Sequence, residues 1–258
     1  MYLMLTNDDG VDSPGLLALY EAVAAIAGVE VAVIAPDHNW SISGHNKTMD
    51  RPLRIKEVLW PNGQTVLSTD GTPADCVSLA GLGVLPRLPD LVISGINTGP
   101  NLGDDVTYSG TVAAAMEAHI AGIPTIAISL DAYSDWHFAT PASFAARLVE
   151  RFMRGEGPEG LPLSPEIFLN VNVPNLPYSE IVGVAVTRQG RRIYQDSLVK
   201  GLDPRGKPYY WIGGERPGGY MLEGTDFEAV MHHKISITPM MLDLTNYRLL
   251  KQMSEWQF

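Results

Sequence analysis

The possible folds are narrowed furthest by a repeated pairing: short uncharged apolar runs, each followed by a helical stretch. Tyr2-Leu3-Met4-Leu5 carries neither charge nor polar alternation, the pattern of a strand buried on both faces of a parallel sheet. Ser13-Pro14 then reads as a helix start, with Ser as N-cap and Pro at the first helical position, where its missing N–H costs nothing. Leu16, Leu17, Leu19, Tyr20, Val23 and Ile26 share one face of that helix, and Gly28 suits its C′ position. Strands are expected again at Val29 to Ala35, Leu91 to Ser94, Thr125 to Ser129 and Ile167 to Val173. Helices are expected from Thr72 to about Leu85, at Val112 to Ala121 and at Ala142 to Met153. This alternation over roughly the first 175 residues predicts a doubly wound, mostly parallel α/β sheet.

Leu53 to Val58 and Gln64 to Ser68 read as a hairpin around Pro61-Asn62-Gly63. Beyond Pro174 the texture changes. Val182 to Arg188, Pro208 to Ile212 and Lys234 to Pro239 read as strands, with turns at Asp203-Pro204-Arg205-Gly206 and at Arg216-Pro217-Gly218-Gly219. Projecting arms of this kind bury little surface alone and are expected to pack on a second subunit. A closing helix, capped by Thr245 or Asn246, is expected within Thr245 to Trp256. The division is therefore a core at 1–175 and a C-terminal arm and oligomerisation segment at 176–258, the latter partly packed back on the core.

In a doubly wound sheet, ligands bind at the carboxyl ends of the strands. There this chain places Thr6-Asn7-Asp8-Asp9-Gly10, two adjacent carboxylates in one loop. Two like charges side by side need a cation or a shared proton when buried, and oxygen ligands suit a hard divalent metal; a solvated turn is the plainer reading of the same residues. The loop after the second strand, His38 to Lys47, is dense in hydroxyls, amides and imidazoles. The loop after Ser94 contains Asn97 and Asn101 and closes on Ser109-Gly110-Thr111, a helix start with free N–H groups able to take an anion. Taken alone, that start is also an ordinary N-cap. Asp8, Asp9, Ser41 and Asn97 form an all-oxygen donor set, right for Mg²⁺, Mn²⁺ or Ca²⁺ and poor for zinc. Beside a phosphate-sized anion site, such a set points to metal-assisted phosphoryl hydrolysis.

Other features exclude more than they assign. A net charge of −11 with no basic stripe argues against binding a nucleic-acid duplex. No apolar run reaches membrane-spanning length, and no signal-like segment opens the chain. The single Cys76 has no internal disulfide partner, which fits a cytoplasmic location, and it is expected to be a buried, inert thiol. Asp104-Asp105 is expected to be a solvated pair, and His232-His233, on a strand, would point to opposite faces and not chelate together.

The chain resembles the SurE family, the stationary-phase survival proteins that include metal-dependent nucleotidases and acid phosphatases. The resemblance is carried by Thr6-Asn7-Asp8-Asp9-Gly10, Ala35-Pro36-Asp37 with Ser41, Gly71-Thr72-Pro73-Ala74-Asp75-Cys76 and Ser94-Gly95-Ile96-Asn97. It continues through Gly99-Pro100-Asn101-Leu102-Gly103, Ser109-Gly110-Thr111-Val112, Asn170-Val171-Asn172-Val173-Pro174, Thr187-Arg188-Gln189, Tyr210-Trp211 and Ser236-Ile237-Thr238-Pro239. It runs in order along nearly the whole chain. It implies a Rossmann-like core and hydrolysis of nucleoside monophosphates, 5′ with the 3′ position left open, with one divalent cation per subunit held by Asp8, Asp9, Ser41 and Asn97. It also implies a homodimer or homotetramer joined through the C-terminal arms. Water is the implied nucleophile, with Asp8 or Asp9 accepting its proton; direct attack by an aspartate is the alternative. Asn7, Gly44, His45, Asn101, Ser109, Gly110 and Thr111 are the expected phosphate and substrate contacts, with His45 a candidate general acid. Two positions depart from the family pattern. His38 and Trp40 stand where arginines often flank Asn39, and His232-His233-Lys234 stands where Glu-Gly-Tyr commonly precedes Ser236. Two readings from other classes fit the same residues: a nucleotide sensor without turnover, and a nucleosidase that releases free base.

Overall fold

The computed structural model describes residues 1–156, 163–193, 196–214 and 218–256. The turn expected at Arg216-Pro217 therefore lies outside the described residues. The first strand, β1 (Tyr2–Thr6), is buried along its whole length. It pairs in parallel with β2 (Glu30–Pro36) on one side and β5 (Leu91–Thr98) on the other. Between them in sequence lie β3 (Ile55–Leu59) and β4 (Thr65–Thr69), the expected hairpin, with β4 pairing in parallel with β2. Then β6 (Thr125–Asp131) and β7 (Phe168–Pro174) extend the parallel run beyond β5. The chain thus works outward from β1 in one direction and returns to work outward in the other, which creates a topological switch point between β1 and β5.

The two-residue period of a strand divides the core. Leu3 and Leu5 point to the face covered by α1 (Pro14–Ala24) and α4 (Ala139–Met153), where Leu16, Leu19, Val23, Ala145, Leu148 and Val149 pack against them. Tyr2 and Met4 point the other way, to Cys76 and Val77 of α2 (Pro73–Leu79) and to Ala114 and Ala118 of α3 (Gly110–Ile120). Cys76 is fully buried and free, and burial pushes its thiol well above the ordinary range, so it is inert at neutral pH. Helix α1 ends earlier than its apolar pattern suggested: its C-cap is Ala25, and Gly28, at φ +82°, turns the connection into β2. Helix α2 starts with a full capping box between Thr72 and Asp75, then gives way at Ala80 to a wider π turn.

The sheet does not stop at β7. The strand β13 (Lys234–Pro239) lies antiparallel beside it, and β8 (Gly183–Val186) runs parallel to β13 at the edge. Among the described residues this makes one nine-stranded sheet in the order β3-β4-β2-β1-β5-β6-β7-β13-β8. Thr187 Oγ1, 2.8 Å from both Ser236 Oγ and Thr238 Oγ1, locks the last segments together. Two of the strands expected in the arms are therefore sheet strands. The element that projects is the hairpin of β10 (Asp196–Leu202) and β11 (Pro208–Gly214), whose first strand was not anticipated. A short pair, β9 (Arg192–Ile193) with β12 (Gly218–Gly219), sits at its base. Also unanticipated is α5 (Asp226–Met231), which changes the reading of the paired histidines. His232 caps α5, and His233 turns the chain at φ +56°, so neither lies on a strand. The final helix, α6 (Tyr247–Met253), is capped by Asn246, whose side chain accepts from Leu249 N–H at 3.0 Å.

Candidate active site

The loop after β1 is built from inside. Asn7 is fully buried and donates through Nδ2 to Gly10 O at 2.8 Å, closing the turn that presents Asp8 and Asp9. Gly10 takes φ +100°, where any side chain would be strained and would also meet the His38 backbone. The loop after β2 hangs on this turn: Trp40 N–H donates to Asp8 O at 2.7 Å, and Val11 N–H to Pro36 O at 2.8 Å. Its far end hangs on the third loop through Gly44 N–H and Tyr108 O, 2.9 Å apart.

Asp8 is buried against the start of α3, with its carboxylate accepting from the Thr111 hydroxyl and backbone N–H. The approach is close enough that a Cβ at Gly110 would stand 2.7 Å from Asp8 Cβ, so no larger residue fits there without displacement. Burial, with the Asp9 charge adding to it, pushes the Asp8 carboxyl up to about 6, while the Thr111 hydrogen bonds pull it back. Asp9 is oriented by three donors: Thr98 N–H at 3.0 Å, Thr98 Oγ1 at 3.0 Å and Asn39 Nδ2 at 3.1 Å. Asn97 sends its amide NH₂ to Gly99 O at 2.7 Å, which leaves its side-chain oxygen as the atom to offer a cation. A cleft of about 430 Å³ opens beside Asp9, between Asp37, His38, Thr98 and Trp136.

The expected residues thus fall into groups. Asp8, Asp9, Gly110 and Thr111 come together, and Asn97 adjoins them through Thr98. Ser41 is exposed, its N–H held at 2.7 Å by Asn39 Oδ1, and Asn39 is the residue of that loop that touches Asp9. The Ser109 hydroxyl caps α3 by accepting from Val112 N–H at 3.1 Å, and the Thr111 hydroxyl is engaged by Asp8. Gly110, at the first position of α3, carries a main-chain N–H of the kind that a helix start leaves without an intrahelical partner. His45 faces away from the aspartates. Its Nε2 lies 3.0 Å from Glu117 Oε2, and Glu117 stands roughly 9 Å along α3 from Thr111. Lys47 Nζ and Ser78 Oγ also reach Glu117, each at 2.7 Å. Burial raises the Glu117 pKa, but these three bonds outweigh it and hold the carboxyl below its usual range. Glu117 therefore clamps the second loop onto α3.

Asn101 lies in a buried amide network. Its N–H donates to Asn172 Oδ1 at 2.8 Å, its Nδ2 to Ser129 Oγ at 2.8 Å, and its carbonyl accepts from Asn170 and Asn172. Asp226 fixes the next turn, accepting from Gly103 N–H and Gly190 N–H at 2.8 Å each. Asp104 is exposed as expected and Asp105 is half-buried, but both are engaged: Arg192 N–H reaches Asp104 at 2.9 Å, and its guanidinium pairs with Asp105. Asn39, Thr98, Glu117, Asn172 and Arg192 carry roles that the motifs did not reveal. For Asn170 and Asn172 a signal existed: two amides at period two inside an apolar strand.

An open α/β sheet with a carboxylate pair at its switch point, Asp8 buried and Asp9 on the rim of a cleft, defines an α/β protein with a strand-end ligand site. Residues 3–196 match the model of the survival protein SurE, and the chain belongs to the SurE family. It is 47% identical to a 5′-nucleotidase SurE of Chloroflexus aggregans over 260 residues, covering 100% of both chains. To that of Herpetosiphon aurantiacus it is 49% identical over 256 residues, covering 98% of this chain and 97% of the other. The crystal structure of a SurE protein from Aquifex aeolicus superposes with a TM-score of 0.82 at 45% identity, covering 98% of each chain.

The site fits a hard divalent cation. Among the described residues no Lys, Arg or His forms an ion pair with Asp8 or Asp9, so the pair's charge has no protein counterion. No group of three or more His, Cys, Asp and Glu gathers among the described residues; the donors are two carboxylates and an amide oxygen, all hard.

Proposed function

We propose that this chain is a divalent-metal-dependent nucleotidase, a phosphoric monoester hydrolase that converts nucleoside 5′-monophosphates, and also 3′-monophosphates, to nucleoside and phosphate. The observation that carries the reading is the Asp8–Asp9 pair, one carboxylate buried and the other at the cleft, with no protein counterion among the described residues and set against the N-terminus of α3. The relatives named 5′-nucleotidase, matched over their full length, support the reaction class.

Asp8, Asp9 and Asn97, with Ser41 of the second loop, would hold one Mg²⁺ or Mn²⁺ per subunit, and Ca²⁺ can take the same oxygens. Bound there, the cation supplies charge stabilisation and acidifies an attacking water. The chain's own residues supply the rest. Gly110 N–H and the positive end of α3 receive phosphate oxygens. Thr98 and Asn39 fix the Asp9 carboxylate so that it is the better placed of the two to accept the water's proton, because Asp8 is turned to Thr111. The general acid is not His45 in this arrangement, since Glu117 holds its ring.

The subunits are proposed to associate through the β10–β11 hairpin as a homodimer or homotetramer. Leu198, Val199, Tyr210, Trp211 and Ile212 are all exposed on it, more apolar surface than a two-stranded ribbon leaves to water.

The test is release of inorganic phosphate from AMP, GMP and 3′-AMP with Mn²⁺, Mg²⁺ or EDTA, with Asp9→Asn in parallel. Metal-dependent release that is lost in the variant is expected. Binding without release from folded protein would replace the proposal with a sensor, and release of free base would replace it with a nucleosidase.

A further inference from the structure

A second cavity, of about 380 Å³, is walled in part by the third loop, just beyond the Thr98 that holds Asp9. Its walls come from Pro100 and Leu102 of that loop, Tyr133 beyond β6, and Met221 and Phe227 near α5; Asp131 and Arg192 are its charged members. Cavity and aspartates share one piece of backbone. Asn97 donates to Gly99 O, and Gly99 carries the Tyr133 ring 3.4 Å from where its Cβ would be. Asn97 and Pro100 are three residues apart, at most about 10 Å, a distance within the reach of one extended small ligand. Gly99, between them at φ +139°, adds no side chain to that span.

Resting on the nucleotidase reading, we propose that this cavity receives the nucleoside of the substrate while its phosphate lies at Asp8 and Asp9, and that Tyr133 is the surface on which the base stacks. The volume falls within the roughly 300–1,000 Å³ of small-molecule sites. The composition suits a flat heteroaromatic ring that carries polar edges. Tyr133, Phe227 and Met221 offer apolar and aromatic contact, and the neighbouring opposite charges of Asp131 and Arg192 form its polar end. Tyr133 is half exposed, so it can be changed without opening the core. Arg192 is fixed by Asp105 and lies over the Phe227 ring, which makes the polar end of the cavity rigid.

The experiment compares wild type, Tyr133→Ala and Tyr133→Phe on AMP and on p-nitrophenyl phosphate, a phosphomonoester without a nucleoside. Loss of one base–aromatic stack should raise KM for AMP in Tyr133→Ala by about 5- to 150-fold. Turnover of p-nitrophenyl phosphate should be unchanged, and Tyr133→Phe should restore the AMP value. An unchanged KM for AMP in Tyr133→Ala, or equal losses on both substrates, overturns the assignment while leaving the nucleotidase reading intact. If wild type cleaves p-nitrophenyl phosphate but not AMP, the nucleotidase reading fails, and calorimetry with adenosine decides the cavity separately. Binding to wild type that is lost in Tyr133→Ala upholds it, and no binding to wild type overturns it.

Discussion

Replacing Asp8 with asparagine is expected to stabilise the metal-free protein while it abolishes metal-dependent activity. The Asp8 carboxyl is buried, and its pKa stands at about 6 against 3.8 for a free aspartate. That difference, about 2.2 pH units at 1.36 kcal/mol each, corresponds to about 3 kcal/mol. Because the folded state holds the proton more tightly than the unfolded one, this stability is fully present below about pH 3.8 and is lost as pH rises through about 6. Asparagine keeps the shape and an oxygen for the Thr111 hydroxyl but never ionises. In EDTA at pH 7.5, Asp8→Asn should therefore exceed wild type by up to about 3 kcal/mol, or about 6–12 °C in Tm for a chain of this size. The gap should close by pH 4. Mn²⁺ should raise the Tm of wild type and leave that of the variant nearly unchanged. Urea and thermal unfolding across pH 4–8 measure all three. A variant no more stable than wild type at pH 7.5, or a gap independent of pH, would refute the reasoning.

Thr98→Val removes the hydroxyl that holds both Asp9 oxygens, and calorimetric titration should show Mn²⁺ affinity falling by about 10- to 100-fold with little change in Tm. Glu117→Gln loosens the clamp on the second loop; it should cost roughly 1 kcal/mol, the scale of a partly exposed ion pair, and speed limited proteolysis between Trp40 and Lys47. Trp211→Asp places a charge in the exposed apolar hairpin, and sedimentation should report smaller particles with the monomer fold intact by circular dichroism.

The parallel core was legible because its signals are local. Tyr2 to Leu5 has no charge, so it suits only a strand covered on both faces, and Thr72-Pro73 and Ser109-Gly110 announce helix starts within a few residues. The aspartate pair was legible for the same reason: a strand end followed at once by a helix fixes where Asp8 and Asp9 emerge. The C-terminal third was read less well. Lys234 to Pro239 looks alike whether it forms an arm or a sheet strand, and only its pairing with Asn170 to Asn172 decides which. The β10 strand and α5 are short and weakly patterned, and their neighbours settle them.

The chain's local chemistry determined the strand–helix order, the switch-point loops and an acidic, oxygen-rich centre. Tertiary structure alone decided how those groups are used. It turned Asp8 to Thr111 and Asp9 to Thr98 and Asn39, gave His45 to Glu117, and drew Asn101 into an amide network with Asn172. These partners are separated by 30 to 103 positions along the chain, and no short-range pattern encodes which of two nearby side chains a carboxylate will meet. Hydrogen-bond geometry, unlike hydrophobic periodicity, is set only once the sheet has brought its loops together.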